Sequence, residues 1–372
     1  MPKLGDISGV WNTIREINVA DIREAAEEPI TLALIGDPEA RARVAQALVS
    51  TPDKRATGPT PEALRQFELP VGRERQGALS QAALVLLAVD GTQPLPLDFG
   101  STLDKLSLLA APTLIVCLGA RRLPDTRQGD AADIGATEVV FVGETMDIAA
   151  MNLVATEVVE RLPQEQRIAA ARRLPGLREA AARDLIADTS FSNATYALTS
   201  ALPELVPMLN IPLNAADLLV LTKNQALMVY RLGLAFGASG DFQAQMREIL
   251  PVIGGGFMWR QLARQLIGLV PGFGLAPKVA VAYAGTYAAG HAALVWYSRG
   301  ETLSKGALGR LYRQSITIGR QRAQELLARR QAKPEREEYT GETKHLAPRK
   351  RGLRRFLPRR STPPQPPAPP QK

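Results

Sequence analysis

Cysteine is nearly absent from this 372-residue chain, because Cys117 is the only one. A single cysteine cannot close an internal disulfide, and no cysteines and histidines stand at the spacing of a zinc finger. The first residues lack the apolar run of a secretory signal. We therefore expect a protein of the reducing cytoplasm that has no disulfide and no metal site.

Acidic side chains become scarce towards the C-terminus, and this scarcity places the net charge of +8 at one end of the chain. Residues 299–372 carry 19 Lys and Arg against six Asp and Glu, whereas residues 1–298 carry 26 against 31. An asymmetry of this kind predicts an anionic partner, which is either nucleic acid or lipid headgroups.

Residues 1–29 precede the first apolar run. Apolar side chains recur there at helical spacing, at Ile7, Val10, Trp11, Ile14 and Ile17. This spacing predicts a helical arm that packs on the following domain. An arm that contacts a partner or a membrane is the alternative.

Residues 30–163 alternate apolar runs with helical stretches. Each of the four runs is followed by a glycine within two residues, and the runs are 30–35, 83–89, 113–118 and 139–142. Continuous apolar strands separated by helices are typical of a parallel sheet that is covered on both faces. We therefore predict a doubly wound α/β domain whose ligand crevice lies beyond the carboxyl ends of the strands.

The first strand-to-helix turn has the sequence GDPEARAR, where a phosphate-binding loop would need G-x-x-x-x-G-K-[ST]. Only Gly36 matches, because Ala42 stands in place of the lysine and Arg43 in place of the hydroxyl. Asp37 and Glu39 add carboxylates where anionic phosphates would lie. We interpret these residues as an ordinary turn without a cofactor, and an anion held by its arginines in another geometry is the alternative.

The order of strands and turns, with the segment NVADIRE at residues 18–24, resembles the G domains of the Era and TrmE kind. The D-x-x-G motif of those domains would fall at residues 69–72, where Leu69 stands in place of the acid. Their guanine-reading N-K-x-D motif would fall at residues 119–122, which read GARR. The resemblance therefore implies a P-loop-like fold in which three nucleotide motifs are defective.

Residues 164–332 lose the strand pattern and predict an all-α domain. We expect helices over 164–187, 214–236 and 241–250, and a last basic helix that starts at Ser298 or Thr302 and runs past Arg330. Three blocks resemble the uncharacterised YcjF-type domain found beside bacterial GTPases, namely DLLVLTKNQ at 217–225, REILPVIGGG at 247–256 and VPGFG at 270–274. The resemblance implies a membrane-linked bacterial protein, with no established reaction and no binding residues to assign.

Residues 265–298 predict an apolar hairpin. Nineteen residues, 279–297, carry no formal charge, and at 1.5 Å per residue they span about 30 Å, close to one hydrocarbon thickness. Both flanking regions are expected on the cytoplasmic side, which favours a re-entrant or interfacial hairpin over a single span. The predicted membrane-contact residues are the small ridge and the terminal aromatics: Ala280, Ala284, Ala288, Trp296 and Tyr297. A tightly packed soluble bundle is the alternative.

Residues 333–372 predict a disordered tail, because nine of these forty residues are proline. The tail carries a basic cluster around Leu353, Phe356 and Leu357, and its predicted anionic-surface residues are Arg349, Lys350, Arg351, Arg354, Arg355, Arg359 and Arg360. Such a cluster suits an anionic leaflet, while non-specific RNA binding and a purely solubilising role are the alternatives.

The sequence as a whole predicts a non-enzymatic scaffold or regulatory protein on the cytoplasmic side of a bacterial membrane. It predicts anionic lipids as the partner, another protein as a further possible one, and no small-molecule substrate, cofactor or catalytic residue. A GTPase with a divergent phosphate loop and a soluble nucleic-acid-binding scaffold are the two rival functions.

Overall fold

The computed structural model describes residues 17–50, 60–69, 73–127, 134–135, 137–200, 215–252 and 275–331. Apart from Gln331, these residues belong to one compact unit, Met1–Arg330. The first sixteen residues of the predicted arm, the first part of the predicted hairpin and the predicted tail 333–372 lie outside the described residues.

A five-stranded parallel sheet forms the first half of this unit, which confirms the predicted α/β sheet. The strands are β1 (Leu32–Gly36), β2 (Leu64–Gln66), β3 (Leu84–Asp90), β4 (Thr113–Leu118) and β5 (Glu138–Val142). Their spatial order is β2-β1-β3-β4-β5, and every neighbouring pair is parallel. This order places a topological switch between β1 and β3, which is where doubly wound sheets bind their ligands.

Helices cover both faces of the sheet. Alternate side chains along each strand point to opposite sides, and apolar side chains on both sides pack against helices. Leu34, Leu86 and Val116 enter one apolar cluster, while Ile35 and Leu87 enter a second. The helices of this half are α1 (Ala20–Glu27), α2 (Pro38–Val49), α3 (Arg73–Ser80), α4 (Phe99–Ser107) and α5 (Ile148–Arg161). Side chains of α2 and α5 pack in the first cluster, and those of α3 and α4 pack in the second.

The second half is helical, as the sequence predicts. Its helices are α6 (Arg167–Arg173), α7 (Arg178–Ser200), α8 (Ala215–Ala235), α9 (Phe242–Val252), α10 (Leu275–Arg299) and α11 (Lys305–Gln331). The single helix predicted over 164–187 is wrong, because the chain breaks between α6 and α7 at Pro175. Proline has no amide hydrogen and disfavours a helical conformation at the residue before it, so Leu174 is extended.

The first apolar cluster runs continuously from the sheet into the helical half. It contains Leu34 of β1, Val158 of α5, Ala170 of α6 and Tyr230 of α8. Residues on both sides of the predicted domain boundary at 163/164 therefore share one hydrophobic core.

Helix α6 holds the ends of three other helices through its arginines. A guanidinium group can donate several hydrogen bonds to the carbonyl oxygens that a helix leaves unpaired at its C-terminus. Each of the three arginines does this at the end of a different helix. Arg167 donates to Glu160 and Leu162 at the end of α5, Arg172 donates to Leu234 and Ala238 at and just beyond the end of α8, and Arg173 donates to Ala26 and Glu27 of α1. The short helix thus connects the sheet half to the helical half.

Candidate functional site

The turn between β1 and α2 lies at the topological switch of the sheet. Gly36 ends β1 and Pro38 begins α2, so Asp37 is the only residue between the strand and the helix. Gly36 has φ of +125°, and a Cβ added there would lie 1.9 Å from the carbonyl oxygen of Ala88 in β3. The amide of Asp37 donates to that same oxygen at 3.1 Å. The backbone of the turn is therefore pressed against β3.

The side chain of Asp37 also forms a hydrogen bond with the end of β3. Its carboxylate accepts a hydrogen bond from the amide of Asp90, the last residue of β3, at 2.8 Å. The Asp90 carboxylate in turn accepts bonds from the hydroxyl and the amide of Thr92, at 2.7 and 2.9 Å. These bonds lower the pKa of Asp90, with a smaller contribution from Arg43, against a partial desolvation. Asp90 is therefore ionised at neutral pH and has no proton to donate.

The remaining residues of the predicted phosphate frame belong to the helix α2. Ala42 and Arg43 lie on the exposed surface of α2. The guanidinium group of Arg43 donates to the carbonyl oxygen of Glu144, just after β5, at 3.2 Å. Arg41 donates in the same way to the carbonyl oxygen of Phe67, just after β2, at 2.8 Å. Both arginines of α2 thus bond this helix to loops at the carboxyl edge of the sheet.

The positions of the other two G-domain motifs also follow strand ends. Leu69, in place of the acid, is partly exposed, and residues 70–72 lie outside the described part of the chain. Residues 119–122 follow β4, and Arg122 lies 3.9 Å from the carboxylate of Asp125 in an exposed ion pair. These positions present an apolar side chain and a surface ion pair instead of an acid and a base-reading amide.

The described residues hold no group of three or more His, Cys, Asp or Glu side chains that could bind a metal ion. Burial raises the pKa of the Cys117 thiol to about 11, so this cysteine is protonated and unreactive at neutral pH. Burial lowers the pKa of His291 to about 4, and the ring stacks on Tyr287 with centroids 4.1 Å apart. His291 is therefore a neutral packed side chain at neutral pH.

The small ridge of α10 lies inside the helical half. Ala280, Ala284 and Ala288 are all buried. Ala280 contacts α11 at Gly319, and Ala288 packs with Leu308 of the same helix. Among the helices that the structure describes, none is both long and apolar enough to cross a bilayer. The membrane-contact role of this ridge stays a prediction, while the structure gives these surfaces protein partners.

The two aromatic residues predicted at the membrane interface lie at the other end of α10. Tyr297 is buried, stacks on Phe236 with centroids 6.2 Å apart, and donates its hydroxyl hydrogen to Gln245 at 3.3 Å. Trp296 is partly buried and packs against the main apolar cluster. The aromatic end of α10 is thus attached to α8 and α9.

A buried polar layer, which the sequence reasoning missed, joins α7, α8 and α10. The hydroxyl of Thr286 accepts hydrogen bonds from Asn193 at 2.8 Å and from Gln225 at 3.1 Å. Asn224 donates to the Asn193 carbonyl oxygen at 2.7 Å. The available signal was a set of polar residues inside otherwise apolar helical stretches. Because the partners lie 31 to 93 residues apart, the sequence pattern alone does not pair them.

The predicted anionic-surface residues, from Arg349 to Arg360, lie outside the described residues, as does the 265–274 part of the hairpin. No protein-family model matches the sequence, and no curated protein matches it. The resemblances to Era-type G domains and to the YcjF-type domain therefore rest on the motifs quoted above.

Proposed function

We propose that this protein is a non-catalytic scaffold with a G-like module that holds no nucleotide. In this proposal the protein associates peripherally with the cytoplasmic face of a bacterial membrane, through its basic C-terminal region and anionic lipids. The observation that carries the first part is the single residue, Asp37, between β1 and α2.

The turn supports a nucleotide-free module on both geometric and electrostatic grounds. A phosphate-binding loop surrounds its anion with backbone amides before the helix begins, and a one-residue turn has no room for such a cradle. Pro38 removes one of the amides at the helix start. Asp37 and Glu39 place negative charge at the end of α2 where the helix dipole would otherwise attract a phosphate.

The titratable groups support a non-catalytic role. Catalytic acids, bases and nucleophiles need pKa values poised for proton transfer or attack. Asp90 is held ionised, the Cys117 thiol is buried and protonated, and His291 is partly buried and neutral. None of these three groups is arranged as a nucleophile beside a base.

A titration of the full chain with a fluorescent GTP analogue and Mg²⁺ tests the nucleotide part of the proposal. We expect no saturable binding at micromolar protein concentrations, while an active GTPase measured in parallel serves as the positive control. The matched variants are Arg43→Ala, at the carboxyl edge beside Glu144, and Arg121→Ala, on an exposed loop. Micromolar binding that Arg43→Ala abolishes and Arg121→Ala preserves would overturn the proposal in favour of a divergent GTPase.

The charge distribution supports the membrane part, since residues 299–372 carry 19 basic against six acidic residues. Each cation near an anionic leaflet contributes about 1 kcal/mol, and this attraction is screened by salt. We expect the full chain to float with phosphatidylglycerol-containing vesicles and not with pure phosphatidylcholine vesicles. Equal behaviour towards both vesicle types, together with tight RNA binding, would favour the nucleic-acid-binding scaffold instead.

A further inference from the structure

The helix α11 has one face in the protein and one face outside. Its buried residues recur at spacings of seven, four and four: Leu308, Ser315, Gly319 and Ala323. Gly319 lies against α10 so closely that an added Cβ would be 2.8 Å from the carbonyl oxygen of Ala280. This stripe fixes the rotation of α11, so the opposite side of the helix faces outward.

Three exposed arginines lie in line on that outward side. Arg310, Arg313 and Arg320 are separated by three and seven residues, which puts them on one face of a helix. At 1.5 Å per residue they span about 15 Å along the axis. We call these three residues the arginine stripe.

The arginine stripe carries no compensating charge among the described residues. On an exposed helix, a Glu or Asp three or four residues from a Lys or Arg compensates its charge. Here the positions four residues after Arg310, Arg313 and Arg320 are Gln314, Thr317 and Gln324. The one acid of α11, Glu325, is paired with Arg322, whose guanidinium group donates a hydrogen bond to its carboxylate at 2.8 Å. Three cations thus repel one another on a rigid, uncompensated face.

We propose that the arginine stripe is a preformed docking surface for the phosphate groups of anionic lipids. This inference rests on the proposed function and adds a folded contact surface to the basic cluster at residues 349–360. The planar guanidinium group of arginine forms bidentate hydrogen bonds with phosphate oxygens, so an arginine suits a phosphate-binding surface. A straight stripe on a helix packed along α10 presents its charges to a flat anionic surface in a fixed orientation.

The composition of the face favours lipid over single-stranded nucleic acid. Proteins that bind single strands combine cations with aromatic side chains on which bases stack. The exposed residues beside the stripe are glutamine and threonine, as at Gln314, Thr317, Gln321 and Gln324. Among the described side chains of the outward face, none is a large apolar group suited to insertion, so this face suits electrostatic contact with headgroups.

The test uses the full-length protein and a triple variant, Arg310→Gln, Arg313→Gln and Arg320→Gln. The matched control is Arg65→Gln, Arg121→Gln and Arg122→Gln, which removes the same charge from exposed positions around the sheet. Partitioning is measured on phosphatidylcholine vesicles with and without phosphatidylglycerol, and binding to a single-stranded RNA oligonucleotide is measured in parallel. Circular dichroism and the Tm confirm that both variants are folded.

We expect the stripe variant to lose roughly 100-fold in partitioning to the anionic vesicles, since three cations each contribute about fivefold. The control variant should lose no more than a few-fold. Equal losses in the two variants, or no loss in the stripe variant, overturn the inference while leaving the proposed membrane attachment in place. A loss confined to RNA binding assigns the stripe to nucleic acid and also overturns it. A wild-type protein that ignores anionic vesicles overturns both the inference and the proposed attachment.

Discussion

The carboxylate of Asp37 accepts a hydrogen bond from the amide of Asp90 at 2.8 Å, and this bond joins the ends of β1 and β3 at the switch point of the sheet. In a doubly wound sheet the ligand crevice opens between these two strand ends. Here the carboxylate of Asp37 accepts the hydrogen bond of the Asp90 amide, so this backbone donor at the strand ends is paired within the protein.

Replacing Asp37 with Ala should lower the free energy of unfolding by about 1–3 kcal/mol, because the partly buried amide of Asp90 loses its acceptor. Asp37→Asn keeps an acceptor oxygen and should lose less. Glu39→Ala, on the exposed side of the same helix start, should stay within about 0.5 kcal/mol of the wild type. Urea unfolding of the three variants measures this, and a Glu39 effect equal to that of Asp37 would contradict the assigned bond.

Arg172 should contribute to stability through its position between helices. Its guanidinium group donates to the carbonyl oxygens of Leu234 and Ala238 at 2.9 and 3.0 Å, at the end of α8. Arg172→Ala should cost about 2–3 kcal/mol, as expected for hydrogen bonds from a charged donor to partly buried acceptors.

Arg172→Lys retains the charge but not the fork that reaches two oxygens, so we expect an intermediate loss. Arg121→Ala, on an exposed loop, is the control and should be nearly neutral. Chemical denaturation checks the order of the three variants. A lysine variant as stable as the wild type would show that charge alone is sufficient.

Thr286 should be the least replaceable member of the buried polar layer, because its hydroxyl accepts from both Asn193 and Gln225. Thr286→Val keeps the shape of the side chain and removes the acceptor, leaving two amide donors unpaired. We expect a loss of about 2–4 kcal/mol, whereas Thr286→Ser should lose about 1 kcal/mol. If valine proves neutral in thermal unfolding, water or a rearranged amide must replace the hydroxyl.

Stability should fall between pH 7 and pH 5 because of His291. Burial and, to a lesser extent, Arg183 lower its folded-state pKa to about 4, against an unfolded value near 6.5, while the carbonyl of Tyr287 opposes the shift. The unfolded chain therefore binds more protons than the folded chain over this window, so the free energy of unfolding rises with pH. The histidine alone should cost about 2 kcal/mol on going from pH 7 to pH 5.

His291→Gln should remove this part of the pH dependence, whereas His345→Gln, in the C-terminal segment, should leave it unchanged. Urea unfolding of the three proteins at pH 7 and pH 5 provides the comparison. Carboxylates also titrate at low pH, so the informative quantity is the difference between the two histidine variants. A pH slope in His291→Gln equal to that of the wild type would mean that the ring is accessible to protons in the folded state.

The strands were readable from the sequence because their signal is local. The apolar run 113–118 coincides with β4, and the other three runs fall within two residues of β1, β3 and β5. The strand β2 was missed, because it has only three residues, Leu64–Gln66, and two of them, Arg65 and Gln66, are polar and exposed at the edge of the sheet. A short edge strand buries too little surface to leave an apolar run.

The candidate site was only partly readable for the opposite reason. The absence of the lysine and the hydroxyl from the phosphate-loop positions is visible in the sequence, because these positions belong to one short segment. The bond from Asp90 to Asp37 joins residues 53 positions apart, and it follows from the pairing of β1 with β3. The contacts of the small ridge of α10 could not be predicted from the sequence either. Small side chains allow close helix packing both in protein and in lipid, and the structure shows that this ridge contacts α11.

Removing the C-terminal segment should separate folding from attachment. A chain ending at Ala332 keeps α10, α11 and every described contact, so its Tm should stay within a few degrees of the full-length value. It should remain monodisperse without detergent, because the small ridge of α10 is covered by protein. It should bind anionic vesicles more weakly than the full chain but still measurably, through the arginine stripe.

The wash that releases the full-length protein from vesicles distinguishes the two kinds of attachment. Electrostatic contact weakens as the Debye length falls from about 10 Å at 0.1 M salt to about 3 Å at 1 M. We therefore expect concentrated salt to release the protein, and flotation after the wash to recover it in the soluble fraction. Insertion of an apolar hairpin would instead resist both salt and alkaline carbonate, because burial of apolar surface is not screened by ions. Retention after both washes, in the chain ending at Ala332 as well as in the full chain, would make residues 265–298 the principal membrane element and overturn peripheral attachment.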